Sequence, residues 1–153
     1  MKDLPKTNKS LGQHWLTDYT SLSAMCDAAD VQDGDTVLEI GPGVGTLTEL
    51  LVERAETVIA VEFDHELAKK LPSLVPDSNL FVVNQDILRF DLTSLPRDYK
   101  LVANIPYYLT SKLIRNLSES TNPPTYAALL VQKEVAERVT APAGGMSLLS
   151  VTA

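Results

Sequence analysis

A glycine-rich turn between an apolar run and an amphipathic segment constrains the fold of this chain more than any other feature. The apolar run covers 36–40 and the amphipathic pattern covers 46–54. Three glycines lie between them at alternate positions: Gly41, Gly43 and Gly45. This order predicts a strand, a tight turn and a helix, and Thr46 with Glu49 has the spacing of a capping box. Because glycine permits positive φ and has no Cβ, such a turn lets a polar ligand approach the backbone.

The spacing of these glycines separates two classes of nucleotide-binding turn. A dinucleotide site has the pattern G-x-G-x-x-G, whereas here the third glycine comes one residue earlier and Glu39 precedes the first. This form resembles the first motif of S-adenosylmethionine (SAM)-dependent methyltransferases, although the glycines alone fit a structural turn equally well. A second apolar run, 57–61, ends in Glu62, at about the separation from the turn at which a carboxylate binds ribose hydroxyls. The glycine turn and Glu62 together favour a nucleoside-cofactor site. Asp64 is expected to cap the next helix.

Apolar runs alternate with amphipathic segments along the chain. They predict strands at 36–40, 57–61, 80–84, 100–103 and 126–131, helices at 21–29, 46–54, 65–71, 110–117 and 133–139, a loop bounded by Pro72 and Pro76, and a further element from 146. The alternation implies right-handed crossovers and a doubly wound, mostly parallel sheet of the α/β class. Ligands of such sheets bind at the carboxyl ends of the strands. The distinctive polar residues fall at those ends: 41–45, Glu62, Asp86 and 104–107.

The composition limits the classes of function. A net charge of −7 and a pI of about 4.7 argue against a generally basic surface for nucleic acid. One cysteine and two histidines offer no metal-ligand cluster, so no metal is expected. No apolar run reaches about 18 residues and no secretory pattern opens the chain, so we expect no membrane span. Cys26 lies in an apolar pattern, which predicts a buried thiol in a reducing, cytoplasmic compartment.

Asn104-Ile105-Pro106-Tyr107 is the most specific motif in the chain. At the end of a strand, an asparagine amide oxygen and neighbouring carbonyls can accept both hydrogens of an exocyclic amine, and Pro106 removes a competing donor. Tyr107 offers a flat face for a stacked base. The adenine amine is a poor nucleophile because its lone pair is delocalised, so acceptors that hold its hydrogens out of plane favour methyl transfer. The alternative is an ordinary strand-to-helix turn with Tyr107 in the core.

Six ordered motifs resemble the ribosomal RNA adenine N6-dimethyltransferase family, most closely its small-subunit rRNA dimethyladenosine transferases. They are Gly12–Leu16, Glu39–Gly45, Val61–Asp64, Asn84–Ile87, Asn104–Tyr107 and Val131–Arg138. The resemblance implies a Rossmann-like SAM-dependent methyltransferase fold. It also implies dimethylation of two adjacent adenines near the 3′ end of small-subunit rRNA, in a pre-ribosomal particle. The target adenine would be flipped out, since its amine is otherwise held by stacking and pairing.

The resemblance also assigns roles to individual residues. Cofactor contacts would come from His14, Leu16, Gly41, Gly43, Gly45, Glu62 at the ribose, Asp86 at the adenine amine, and Asn104. The catalytic residues would be Asn104, Pro106 and Tyr107. The family usually has Asn and Phe where this chain has His14 and Trp15. Lys112, Arg115 and Lys133 flank the expected adenine pocket, and we choose them as phosphate contacts.

The chain is expected to be one SAM-binding domain, 1–153, in which 1–20 is an N-terminal segment that contacts cofactor or RNA. The resembled family continues with further strands, a second aromatic motif and a helical RNA-binding domain. We therefore expect a fold truncated before its last strands, and a monomer that binds SAM weakly with little or no activity on ribosomal particles. Two alternatives stay open: a non-catalytic RNA-binding or assembly factor of the same fold, and a methyltransferase acting on another amine.

Overall fold

Residues 18–131, 133, 136 and 148–151 are described by the computed structural model. The strands are β1 (Thr36–Ile40), β2 (Thr57–Glu62), β3 (Leu80–Asn84), β4 (Lys100–Asn104), β5 (Tyr126–Leu130) and β6 (Leu148–Val151). The helices are α1 (Tyr19–Ala28), α2 (Thr46–Arg54), α3 (His65–Leu74) and α4 (Tyr107–Glu119), with 3₁₀ turns at Ile87–Arg89 and Leu92–Ser94. The described strands pair in parallel as one sheet, in the order β3-β2-β1-β4-β5-β6.

The strand order confirms the predicted doubly wound α/β fold. The chain moves outward from β1 through β2 to β3 and then crosses to the other side of β1 for β4, β5 and β6. A crevice forms at the carboxyl ends of β1 and β4, where the winding changes direction, and ligands of such sheets bind there. The strands predicted from apolar runs begin where the structure begins them, because strands buried on both faces leave a continuous apolar signature.

The two faces of the sheet carry separate cores. On one face Val37 of β1 packs in a cluster with Met25 of α1 and Leu51 of α2. On the other face Leu38 packs in a cluster that contains Leu113 of α4. Because β1 is buried on both faces, the residues at its carboxyl end are held by a rigid central strand.

The structure corrects the predicted end of α3. The helix continues through Pro72 to Leu74, whereas the sequence predicts a loop bounded by Pro72 and Pro76. Pro72 lies in the last turn, so its missing N–H costs only one helical hydrogen bond. The turn is closed by the N–H of Val75, which donates to the carbonyl of Leu71 at 2.9 Å.

The capping of α2 and the starts of α1 and α4 also differ from the prediction, and α1 begins at Tyr19 rather than at 21. The N-cap of α2 is Gly45, which has φ 86° and no side-chain cap, so the predicted capping box of Thr46 and Glu49 is wrong. Helix α4 begins at Tyr107 rather than at 110. Pro106, with φ −60°, starts its first turn, and the Pro106 carbonyl accepts a hydrogen bond from the N–H of Leu109 at 3.0 Å. By contrast, Asp64 caps α3 as predicted.

A buried cation closes the amino edge of the sheet. Lys100, the first residue of β4, is 7% exposed. Its ammonium lies 2.8 Å from a carboxylate oxygen of Asp35 and donates to the carbonyl oxygen of Asp30. It also lies 5.3 Å from the ring centre of Tyr126. These contacts join the start of β4 to the turn before β1 and to β5.

Some predictions fall outside the described residues. The segment 1–17, which includes His14 and Leu16, and most of the predicted helix 133–139 are in this category. The element predicted from 146 corresponds to β6, which pairs with β5. Within the described part of the chain, no helix combines the length and apolar character needed to cross a membrane.

Candidate functional site

A cavity of about 460 Å³ opens at the carboxyl edge of the sheet. It brings together most of the described residues that the sequence predicted for the site: Gly41, Gly43, Glu62, Asp86, Asn104, Pro106, Tyr107 and Lys112. These residues come from the ends of four strands, their loops and the start of α4. The volume lies within the roughly 300–1,000 Å³ that is usual for small-molecule sites.

The glycine turn forms one wall of this cavity. Gly41 and Gly43 have φ values of 67° and 59°, which favour glycine. The N–H of Gly41 donates to the carbonyl of Val61 at 3.0 Å, and this bond joins the turn to the end of β2. A Cβ on Gly41 would lie 3.6 Å from the carbonyl oxygen of Asn104. The turn therefore approaches the end of β4 closely.

The carboxylate of Glu62 fixes the turn from the neighbouring strand. One oxygen accepts the N–H of Gly43 at 3.0 Å and the other accepts the N–H of Asp64 at 2.9 Å. The Glu62 residue is only 6% exposed. Burial raises the pKa of its carboxyl, and the two backbone donors oppose that rise. Since each carboxylate oxygen can accept a second bond, Glu62 is positioned to take hydroxyl donors from a ligand.

Asp86 follows β3, the neighbour of β2 in the sheet, and it caps the 3₁₀ turn Ile87–Arg89. Its side chain accepts the N–H of Leu88 at 3.0 Å. The preceding residue, Gln85, donates its N–H to the carbonyl of Glu62 at 3.0 Å, so this loop is tied to the end of β2. The side-chain amide of Asn84 also donates to that carbonyl, at 2.9 Å. The positions of Glu62 and Asp86 are therefore coupled through the backbone.

A buried carboxyl without a hydrogen-bond partner also lines the cavity. Glu39 is 1% exposed, and neither of its carboxyl oxygens has a partner among the described residues. Burial raises its pKa to about 8, while the charge of Glu62 adds to that rise. The hydroxyl of Thr48 lies close enough to lower this pKa somewhat, but it falls short of hydrogen-bond geometry. Buried polar groups are normally satisfied, so Glu39 indicates a ligand that donates or carries positive charge.

The Asn104–Tyr107 motif forms the wall opposite Glu62. Asn104 ends β4, and Pro106 is the extended residue that precedes α4. Tyr107 is 62% exposed and lines the cavity, so it does not fill the core as the alternative interpretation required. The motif thus presents an aromatic face beside a turn from which proline has removed one donor.

Other predicted site residues have different surroundings. Gly45 is not among the residues that line the cavity. A Cβ there would lie 2.8 Å from side-chain atoms of both Leu71 and Val75, so the structure gives Gly45 a role in packing α2 against α3. Arg115 lies outside the lining and forms an exposed ion pair with Glu119 at 3.4 Å. Lys133 is also outside the lining.

Sequence reasoning did not assign site roles to several residues that the structure places in the cavity. The sequence identifies Glu39 only as the acidic position before the glycines, and its burial is visible only in the structure. Phe63 and Tyr108 are 64% and 51% exposed and also line the cavity. Phe63 follows the predicted Glu62, and Tyr108 follows the predicted Tyr107. This adjacency in the sequence is the signal that could identify them as site residues.

The residues present fit the cofactor that the resemblance implies. SAM carries a sulfonium and an ammonium group, and the unpartnered Glu39 carboxyl would complement positive charge. Glu62 and Asp86 supply acceptors at the ends of two neighbouring strands, and the glycine turn leaves the backbone accessible. Among the described residues, no group of three or more side chains has the make-up of a metal site.

Comparisons with known proteins agree with this geometry. The model of the family described as "Ribosomal RNA adenine dimethylase" matches residues 5–153. "Ribosomal RNA small subunit methyltransferase A" from Streptococcus pneumoniae is 43% identical over 141 residues, which cover 87% of this chain and 49% of that protein. The protein of the same name from Alkaliphilus metalliredigens is 41% identical over 144 residues, covering 90% and 50% respectively. The chain spans about half the length of the curated relatives it matches.

Two solved structures share both fold and sequence similarity with the chain. A dimethyladenosine transferase from Plasmodium falciparum has a TM-score of 0.73 and 33% identity, with 86% of this chain and 48% of that chain covered. The 23S rRNA methyltransferase ErmE has a TM-score of 0.74 and 32% identity, with 88% and 54% covered. These similarities confirm the fold class predicted from the sequence.

Proposed function

This chain belongs to the ribosomal RNA adenine dimethylase family, and we propose that it is the catalytic domain of a SAM-dependent rRNA (adenine-N6,N6)-dimethyltransferase. The proposed substrate is a pair of adjacent adenines near the 3′ end of small-subunit rRNA in a pre-ribosomal particle. One observation carries the proposal: a single cavity joins the glycine turn, Glu62, Asp86 and the Asn104–Tyr107 motif. The names of the relatives support the choice of small-subunit rRNA.

Specific residues of the cavity would hold the cofactor. SAM would supply an electrophilic methyl group, which would pass to an amine as its bond to sulfur breaks and the neutral thioether leaves. Glu62 would accept the ribose hydroxyls, and Asp86 would accept the adenine amine of the cofactor. Gly41 and Gly43 would lie against its methionine part, where Glu39 complements positive charge. His14 and Leu16 stay predicted contacts from the N-terminal segment.

The Asn104–Tyr107 motif would position the target adenine. The amide oxygen of Asn104 and the neighbouring carbonyls would accept both amine hydrogens and hold them out of the ring plane, which would take the nitrogen lone pair out of conjugation with the ring. Pro106 contributes no competing donor, and the exposed ring of Tyr107 would stack against the flipped base. The nitrogen loses a proton to water after transfer, so positioning rather than a strong base supplies the catalysis.

Two experiments test this function. Calorimetric titration with SAM and with its demethylated product should show binding to the same single site, whereas the non-catalytic alternative predicts no cofactor binding. The full-length protein should then be assayed for methyl transfer to undermethylated small subunits and to free nucleosides, because little or no activity is expected from residues 1–153 alone. We expect transfer to the subunits only, and Asn104→Ala should lower the rate by about 100-fold. Transfer to another amine with none to adenine would contradict the proposal.

Lys112 is the best placed of the three predicted phosphate contacts. It lines the cavity, whereas Arg115 pairs with Glu119 and Lys133 lies outside the lining. Lys112→Glu should weaken RNA binding and reduce the slope of log affinity against log salt by about 1, while cofactor affinity stays unchanged. Arg115→Glu is the matched change on the same helix, and we expect a smaller effect. Equal effects from both would show that only general charge matters.

A further inference from the structure

Two consecutive tyrosines stand at the mouth of the cavity with their rings perpendicular. The ring centres of Tyr107 and Tyr108 are 6.0 Å apart, and their planes meet at 85°. Both rings line the cavity and both are more than half exposed. The first turn of α4 therefore offers two aromatic faces in different directions.

Tyr108 belongs to the exposed side of α4 rather than to its core side. The buried residues of this helix are Thr110, Leu113 and Leu117. Lys112, one turn after Tyr108, is exposed and also lines the cavity. A half-exposed ring near a cation at a cavity mouth has the chemistry that binds unpaired nucleotides, by stacking and by phosphate contact.

The angle between the rings determines how two bases can occupy them. Neighbouring bases in a strand normally lie parallel and stacked on each other. A base stacked on Tyr107 and a base stacked on Tyr108 would instead be nearly perpendicular, because each follows its own ring. Each base would then stack on its own tyrosine ring. These two contacts would replace the base–base stacking that is lost when the target adenine is flipped out.

We propose that Tyr108 binds the base next to the target adenine, while Lys112 contacts the phosphate that links the two nucleotides. The inference rests on the proposed function and specifies its substrate as an unstacked dinucleotide step rather than a single adenosine. Tyr107 holds the reacting base and Tyr108 holds its neighbour. The start of α4 therefore selects two unstacked neighbouring bases, while the choice of adenine as the reacting base is left to the Asn104–Tyr107 motif.

Short oligoribonucleotides test this inference without ribosomal particles. The purified protein, with the demethylated cofactor present, is titrated with a uridine oligonucleotide that contains one A-A step. A second oligonucleotide has one of the two adenosines replaced by an abasic ribose. Binding is followed by fluorescence anisotropy. The wild-type protein should bind the A-A oligonucleotide about tenfold more tightly, the value of one stacked base.

Three variants make the result specific to Tyr108. Tyr108→Leu should bind both oligonucleotides equally, because it retains only the Tyr107 face. Tyr108→Phe keeps the ring and should keep the tenfold difference. Tyr19→Leu removes an exposed tyrosine outside the cavity, at the first residue of α1, and should behave as wild type. A cooperative unfolding transition of Tyr108→Leu with the same midpoint as that of the wild type would show that the variant is folded.

The outcomes separate this inference from the proposed function. A tenfold difference that persists in Tyr108→Leu overturns the inference alone. A third oligonucleotide contains uridine alone. A wild-type protein that binds the A-A oligonucleotide no more tightly than this third one overturns the proposed function, and the inference with it. Loss of the difference in Tyr108→Leu, with its retention in Tyr108→Phe, supports both.

Discussion

Replacing Glu39 by glutamine should stabilise the cofactor-free protein, although it removes a residue of the proposed site. Burial raises the pKa of Glu39 from 4.5 to about 8, so folding at neutral pH requires this carboxyl to take up a proton. At pH 7 that uptake costs about 3 kcal/mol, because each pH unit between 4.5 and 7 adds about 1.36 kcal/mol. Glutamine is nearly isosteric and uncharged, so Glu39→Gln avoids the cost.

The gain in the free energy of unfolding should depend on pH in a way that identifies Glu39 as its cause. An acid with a raised pKa in the folded state loses stability as pH rises from its unfolded pKa to its folded pKa. The advantage of Glu39→Gln should therefore be about 1 kcal/mol at pH 5.5, about 3 kcal/mol at pH 7, and constant above pH 8. Urea denaturation without cofactor measures it at each pH. Glu53→Gln, an exposed change on α2, should alter stability by less than about 0.5 kcal/mol. A variant that is less stable than wild type at pH 7, or a gain that does not change with pH, would refute the reasoning.

Three further substitutions test backbone conformation, packing and an ion pair away from the cavity. Gly45→Ala combines a positive φ with close contacts to Leu71 and Val75, and should lower the free energy of unfolding by about 2–4 kcal/mol in denaturation experiments. Gly34→Ala has a positive φ but open space around its Cβ, so it should cost about 1 kcal/mol; equal losses would show that packing plays no part. Lys100→Met leaves the carboxylate of Asp35 without its cation and should cost about 3 kcal/mol, and a neutral result would contradict the role of the buried ion pair.

Most of the fold follows from local sequence patterns. Continuous apolar runs locate the first residues of the strands, and the glycine turn after 36–40 locates α2. The errors arise where a local signal competes with packing. Pro72 predicts a break, but α3 continues because Leu71 and Val75 are buried in the core and hold its last turn. No local pattern contains that information.

The residues of the candidate site also include some that local sequence patterns predict and others whose role only the packing shows. Gly41, Glu62, Asp86 and Asn104 were predictable because each follows an apolar run, and the carboxyl ends of parallel strands meet at one edge. The sequence does not distinguish Gly41 from Gly45, since both belong to one glycine pattern. Their roles separate only when α3 is placed beside the start of α2, where Gly45 contacts it.

The buried carboxyl of Glu39 should also control how the protein binds its cofactor. A cationic ligand favours the ionised form of Glu39, which is protonated in the free protein below about pH 8. The titratable groups near this carboxyl are the Cys26 thiol on α1 and Glu62 on β2, and the pKa of Cys26 is raised by burial to about 11, so the thiol stays neutral. Binding should therefore release up to one proton, and SAM affinity should rise by up to about tenfold per pH unit between pH 6 and 8. Calorimetry in buffers of different ionisation enthalpy measures that proton. The Glu39→Gln protein should bind SAM more weakly and show a smaller pH dependence; the same proton release from both proteins would place the titrating group elsewhere.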